Sequence, residues 1–517
     1  MKIHLLANLC LLAVCFGVTD HASWPHFLLF FSLCFLLTYL ISSWLIPGGS
    51  AWRVAHENFT AIRGPIGWPL LGSIPIMGPL AHRKLAALSA ALDAKRLMAL
   101  TLGSTRVIIS SHPDTAKEIL CGHSFSDRPI KETARLLMFD RAIGFAPSGE
   151  YWRSLRRIAA ANMFSPRRIA NLEGLRQRAV HEILASVWKE MEVRGVVQLR
   201  EMLQMASLTS VIGSVFGSSF CLQGEELGLM VKEGYDLIGK FNWGDYLPLG
   251  FLDFHGVRKR CHDLTVRIES LVGRIIEERR IEGGCKRDDF LSVLLTLPED
   301  ERLSDSDMVA VLWEMVFRGT DTVAILMEWI MARMVLHPDI QAKAQQELDT
   351  FVGSSRHVQD SDIPNLPYLQ AIVKEVLRMH PPGPLLSWAR LAIHDVHVGK
   401  YFVPAGTTAM VNMWAITHDG SIWKDPSAFR PERFLEEEVS VMGSDLRLAP
   451  FGSGRRVCPG KALGLTTVHM WLARLLHQFT WLPFKTIDLS ECLRLSLEMK
   501  KPLRCCAVPR NPISFQG

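Results

Sequence analysis

Phe451-Gly452-Ser453-Gly454-Arg455-Arg456-Val457-Cys458-Pro459-Gly460 is the stretch on which the reading of this chain turns, and an apolar helical pattern follows it from Ala462. Glycines let backbone N–H groups come close to a sulfur, and a helix N-terminus just beyond favours negative charge. Cys458 is therefore placed to work as a thiolate. The other ten of the 11 cysteines are Cys10, Cys15, Cys34, Cys121, Cys221, Cys261, Cys285, Cys492, Cys505 and Cys506. They are scattered with no Cys-x-x-Cys pair, which argues against zinc ribbons and thioredoxin-like redox sites. Most of them read as small buried hydrophobes.

Upstream lies a helix whose middle breaks its own pattern. Ser304-x-x-Asp307 offers a capping box with Asp in place of the usual Glu, and His337-Pro338 marks the stop. Between them run about nine turns rich in Val, Met, Leu and Trp. Glu314, Arg318, Asp321, Glu328 and Arg333 exclude a membrane span here. At the centre, Arg318-Gly319-Thr320-Asp321-Thr322 gathers poor helix formers. Glycine costs ~1 kcal/mol there relative to alanine, and threonine diverts hydrogen bonds from the ladder. Local rules broken inside a consistent element point to a functional or strained site.

Phe451, Gly454, Arg456, Cys458 and Gly460 together fit F-x-x-G-x-R-x-C-x-G, which resembles the haem-binding loop of the cytochrome P450 monooxygenases. The resemblance runs over roughly residues 60 to 510. Glu375-Val376-Leu377-Arg378 is similar to the family's E-x-x-R, and Phe429-Arg430-Pro431-Glu432-Arg433-Phe434 to its P-E-R-F segment. A buried Glu375–Arg378–Arg433 triad is the implied structural lock. Glu-x-x-Arg recurs elsewhere, as at Glu150/Arg153 and Glu277/Arg280, so order along the chain selects the pair. Trp152 and Arg156 match the family's W-x-x-x-R, and Arg390 a third propionate partner. Trp329/Arg333 shares the first spacing. The mid-helix cluster resembles the oxygen-activation groove A-G-x-D-T: Gly319, Asp321 and Thr322 match, and Arg318 replaces a small alanine.

The resemblance implies the cytochrome P450 fold, mainly α with a small β-sheet region, closed around one haem b. Cys458 is then the axial ligand of the iron. Trp152, Arg156, Arg390, Phe451 and Arg456 are the other haem-binding residues, and Asp321 and Thr322 the catalytic acid–alcohol pair that delivers protons to dioxygen. No flavin or nicotinamide fingerprint occurs, so electrons come from NADPH through a membrane-bound flavoprotein reductase. Arg153, Arg157 and Lys461 are candidates for steering that partner. The segments around Phe317 to Ala324 and Pro450 to Lys461 resemble a plant microsomal subfamily that promotes organ and seed growth. Its members are thought to oxidise a small lipophilic molecule, a fatty-acid derivative being one class, into a growth signal. Two rivals stay open: a haem-thiolate isomerase or dehydratase, against which Asp321–Thr322 argues, and a non-enzymatic haem sensor.

The rest of the 517 residues fits around this centre. Helical spacing marks 112–121, 150–163, 166–194, 200–216, 256–282, 305–336, 338–352 and 366–379, with short strand-like runs at 97–102, 106–110, 396–398 and 408–412. The pocket is expected from Phe125 to Phe145, Leu312 to Thr322 and Pro382 to Trp388, which are largely apolar. Lys and Arg total 57 against 52 Asp and Glu, without a basic block, so nothing supports nucleic-acid binding. Phe27 to Ile46 is an uncharged apolar run that spans roughly 30 Å as a helix. It is expected to be a retained transmembrane anchor; a second span at Leu5 to Val18 is undecided. The basic residues after it, Arg53, Arg63, Arg83 and Lys84, predict that the body faces the cytosol, and the resemblance to a microsomal subfamily implies the endoplasmic reticulum membrane. The expected division is residues 1–46 for the hydrophobic N-terminal region, 47–72 for a Pro/Gly-rich neck and 73–517 for the catalytic domain.

Overall fold

The structure is a computed structural model, and it describes residues 29–36, 38, 45–53, 55, 59–217, 224–240, 242–246, 253, 256–283, 288–386 and 389–510. Residues 27, 28, 37 and 39–44 of the expected anchor, all of Leu5 to Val18, and residues 387 and 388 of the expected pocket lie outside them. Residues 29–36 are helical, with Leu29, Phe30, Leu33, Phe35 and Leu36 exposed. Among the described residues, no helix is long and apolar enough to cross a membrane.

Helices dominate. Six of them position the site: α1 (Glu150–Asn162), α2 (Leu199–Phe216), α3 (Gly224–Gly239), α4 (Asp305–Leu336), α5 (Pro367–Met379) and α6 (Lys461–Gln478). The small sheet is formed by β1 (Met98–Leu102), β2 (Thr105–Ser110), β3 (Arg390–Leu391) and β4 (Thr408–Val411), in the order β1-β2-β4-β3. β2 and β4 pair in parallel, Val107 opposite Thr408, and β3 is antiparallel to β4, Arg390 opposite Ala409. A hairpin of β5 (Glu491–Leu493) and β6 (Leu497–Met499) packs near the C-terminus.

α4 begins and ends where its caps require. Ser304 Oγ accepts from the Asp307 amide at 3.2 Å, satisfying one orphan donor of the first turn. The Asp307 carboxylate is clasped by Arg141 at 2.6 and 3.1 Å. Its two ends sit in different cores. Met308 to Phe317 pack with α2, α3 and residues 257–281, whereas Ala324 to Val335 pack with α5 and α6. Between the two cores, Arg318, Gly319, Asp321 and Thr322 are not fully buried. The polar cluster read from sequence is thus the gap where neither core covers the helix.

Glu375 and Arg378 on α5 are fully buried, and the guanidinium meets the carboxylate fork to fork at 2.8 and 2.9 Å. Arg433 adds a contact at 3.1 Å. The second positive charge is solvated by carbonyls: Arg378 donates to Thr417 and Pro426, and Arg433 to Lys424. The expected triad is therefore formed, and it ties α5 to the segment leading to the cysteine loop.

Candidate functional site

The cysteine loop is shaped by glycines in conformations other residues resist. Gly452 and Gly454 have φ of 73° and 68°, and a Cβ on Gly454 would lie 2.2 Å from the Leu120 carbonyl oxygen. The Cys458 amide donates to the Phe451 carbonyl at 3.0 Å, closing the loop just before α6. Burial pushes the Cys458 thiol up; Arg318, the Gly460 amide, Arg156 and Lys461 pull it the other way.

Cys458 opens into a cavity of about 330 Å³. Trp152 and Arg156 from α1, Thr322 from α4, Arg390 from β3, and Phe451 and Arg456 from the loop line the same cavity. Residues separated by 300 positions thus converge. Asp321 does not join them: its Oδ1 accepts from Gln204 Nε2 on α2 at 3.0 Å, and burial raises its pKa. Thr322, next in the chain, faces the cavity because successive helix positions are about 100° apart.

Arg318 does not point away. Its Nη1 lies 3.1 Å from Glu314 Oε1, which also accepts the Gly144 amide at 2.8 Å. All three residues line the cavity, and a Cβ on Gly144 would come within 2.1 Å of Arg318 Nη1. This clasp joins α4 to the loop before α1. Of the candidate steering residues, Arg157 pairs with Glu301 at 2.5 Å and Lys461 donates to the Met442 carbonyl at 2.7 Å.

The cavity is strongly cationic. Its described lining holds Arg128, Arg156, Arg176, Arg318, Arg390 and Arg456 against one carboxylate, Glu314. Arg176 pairs with Asp360. Burial, then mutual repulsion, pushes Arg390 down to about 10, and burial likewise pushes Arg456 down to about 10. Arg128 falls well below its ordinary value by burial and by Arg390, Arg318 and Arg456. Arg390 donates to the Ser453 carbonyl at 3.0 Å, Arg456 to those of Ser126, Ile143 and Ala146, and Arg156 to that of Val457. Arg456 also has the Asp127 carboxylate at 3.6 Å, whereas Arg390 and Arg156 are held here by carbonyl dipoles, which do not neutralise them. A group bearing two carboxylates suits the excess charge. At Gly452 and Gly464, on the cavity wall, a Cβ would meet nothing within 4 Å, which leaves room for a flat macrocycle. The donor set, one thiol facing three arginines across such a space, fits haem.

Sequence reasoning passed over several lining residues. Ser207, Ser210, Val211 and Ser214 come from α2, Tyr235 from α3, and Leu495 and Ser496 from the β5–β6 turn. Arg128 and Glu314 fall within the stretches expected to line the pocket, Phe125 to Phe145 and Leu312 to Thr322, and both line the cavity.

Comparison with known proteins agrees with the geometry. Residues 62–506 match the family model described as cytochrome P450. The chain is 54% identical to cytochrome P450 78A5 of Arabidopsis thaliana over 486 residues, 90% of this chain and 93% of that protein. It is 50% identical to cytochrome P450 78A3 of Glycine max over 527 residues, 99% of this chain and 100% of the relative. Flavonoid 3'-monooxygenase CYP75B137 of Crocosmia x crocosmiiflora is 36% identical over 472 residues, 86% of this chain and 92% of its own.

Proposed function

The chain belongs to the cytochrome P450 family and is a monooxygenase of it, and from that premise we propose that it hydroxylates a small lipophilic substrate, a fatty-acid derivative being one class, to make a plant growth-regulating signal. The observation that carries the reading is the convergence of Cys458, Arg156, Arg390, Arg456 and Thr322 on one cavity. When bound there, haem b supplies the activation of dioxygen and the transfer of one oxygen atom to a C–H bond, the other leaving as water.

The chain's own residues then do the following. Cys458 Sγ ligates the iron, its charge favoured by the Gly460 amide and by Arg156 and Arg318 nearby. Arg156, Arg390 and Arg456 hold the propionates, with Trp152 beneath Arg456. The Thr322 hydroxyl presents a proton at the cavity face of α4, and the Asp321 carboxyl resupplies it from behind. Met315, Leu326, Leu386 and Leu495 supply the apolar part of the lining, against which a lipophilic substrate is held.

Electrons come from a separate NADPH-dependent flavoprotein reductase. The apolar run at 27–46 supports a single-pass anchor in the endoplasmic reticulum, with residues 73–517 in the cytosol. Exposed Ile66, Trp68 and Leu70 in the neck suit the membrane interface. Turnover in microsomes with reductase, NADPH and a panel of lipophilic substrates tests the reaction class. A hydroxylated product dependent on both NADPH and reductase is expected; product formed without either contradicts it. Protease protection of tagged microsomes tests the orientation, and a lumenal body would overturn it.

A further inference from the structure

The turn between β5 and β6 brings Leu495 and Ser496 to the cavity, yet the hairpin that carries it is slight. Each strand has three residues, and the two strands form a sheet of their own. A two-stranded hairpin of that size does not hold its place unaided. Its position must come from what grips it.

β6 is gripped from the helical side. The Leu497 amide donates to the Pro382 carbonyl at 2.9 Å, and Trp329 Nε1 on α4 donates to the Leu497 carbonyl at 2.9 Å. β5 is gripped from the other end of the chain. The Leu493 amide donates to the Pro79 carbonyl at 2.8 Å. Glu491 is buried, and its Oε1 accepts from His82 Nε2 at 2.6 Å and from Arg83 Nε. Both donors are themselves placed. Asn412 Nδ2 donates to the His82 carbonyl at 2.8 Å, and the Arg83 guanidinium lies over the Trp414 ring, 4.9 Å from its centroid.

A buried carboxylate is a costly grip, since apolar packing often holds as well. Here Glu491 Oε2 and His82 Nδ1 are buried without hydrogen-bond partners among the described residues, which adds to the cost. What a carboxylate supplies and an apolar side chain does not is register. Cys492, Leu493, Leu495 and Leu497 could trade places in an apolar contact, whereas in this hairpin only Glu491 answers both His82 and Arg83. A slip of one residue would turn every side chain to the opposite face and take Leu495 from the cavity.

We propose that Glu491 is a positioning residue for substrate specificity: held by His82 and Arg83, it fixes the register of β5–β6 and so keeps Leu495 and Ser496 against the part of the ligand farther from the haem. This rests on the reading of the cavity as the haem and substrate site, and it adds a determinant that lies outside the lining.

The experiment titrates full-length haem-loaded protein with N-methyl-, N-butyl- and N-octylimidazole and follows the Soret shift. The imidazole ligates the iron, and the tail reports the wall it meets. Variants are compared once each shows the thiolate-type carbon-monoxide band. In wild type, affinity climbs with tail length as more apolar surface is covered. Glu491→Leu leaves N-methylimidazole unchanged and weakens N-octylimidazole several-fold, as Leu495→Ala does. The two changes together are no worse than Leu495→Ala alone. Glu491→Gln keeps an acceptor for His82 and Arg83 and retains most of the wild-type affinity for the long tail. Arg83→Met, at a half-exposed site, gives the same tail-dependent loss in smaller measure, which keeps the test open should Glu491→Leu not fold. Equal weakening of all three ligands marks a merely structural residue and overturns the proposal, as does an unchanged N-octylimidazole affinity in the folded variants. A wild type whose Soret band ignores N-methylimidazole instead contradicts the haem-site reading, and the register role falls with it.

Discussion

The Arg456 guanidinium lies over the Trp152 indole, 4.2 Å from the ring centroid, and both side chains donate to one carbonyl, that of Ile143, at 3.2 and 3.0 Å. The cysteine loop, α1 and the loop before α1 are thus clasped at one point beside the expected propionates. Trp152→Phe keeps a ring under the cation but removes the N–H bond, so it should cost ~0.5–1.5 kcal/mol. Trp152→Leu also loses the cation–π contact and should cost more. The check is the rate at which each variant releases haem on warming, with Leu fastest and wild type slowest.

The Glu375 triad sets a harder limit. Glu375→Gln leaves Arg378 and Arg433 buried with no carboxylate between them, and carbonyls alone cannot balance two guanidinium charges. A loss of ~3–5 kcal/mol is expected. Thermal inactivation of the carbon-monoxide-binding form should begin far below the wild-type temperature, and a wild-type profile would contradict the assignment.

Asp321 predicts a stability change with a definite sign. Burial raises its folded-state pKa above the ordinary 3.8, so the native state prefers the protonated carboxyl. The penalty for ionising it is absent below the ordinary carboxylate range, grows as pH rises toward the folded value, and is complete above it. Asp321→Asn should therefore melt higher than wild type at neutral pH, and the two should converge as pH falls toward 3.8. A gain in stability at the expense of turnover is the expected pattern for a residue kept for function.

Arg318 and Glu314 should behave as a unit. Glu314 is buried, and its Oε2 has no hydrogen-bond partner among the described residues. Arg318→Ala leaves that carboxylate with only the Gly144 amide and should cost about 1–3 kcal/mol. Adding Glu314→Gln to the same chain should recover part of the loss, a coupling that a double-mutant cycle on thermal inactivation measures.

The sequence revealed what its chemistry marks locally. Ser304 and His337-Pro338 bound α4 because caps and prolines act within one turn. The run 166–194 read as one helix, yet it divides into Pro166–Asn171 and Glu173–Arg194 at Leu172. The apolar period continues across that break, and Gly174 just beyond it is a weak mark because the helix runs on through it. Strands at Glu491–Leu493 and Leu497–Met499 went unread, being too short to alternate, and Arg504–Pro509 because its Cys-Cys-Ala-Val run shows no polar alternation and its place is fixed by distant partners such as Gln198 opposite Arg504. In the site, Cys458, Trp152, Arg156 and Arg390 were legible through motifs. Gln204 was not, because its contact with Asp321 spans 117 positions and exists only once α2 packs on α4.

The most direct test of the account is the reduced carbon-monoxide difference spectrum of the full-length protein beside that of Cys458→Ala. The account predicts a thiolate-type Soret band in wild type and its loss in the variant, in preparations of equal secondary structure. A well-folded wild type without that band, or a variant that keeps it, would contradict the assignment of Cys458 as the haem ligand.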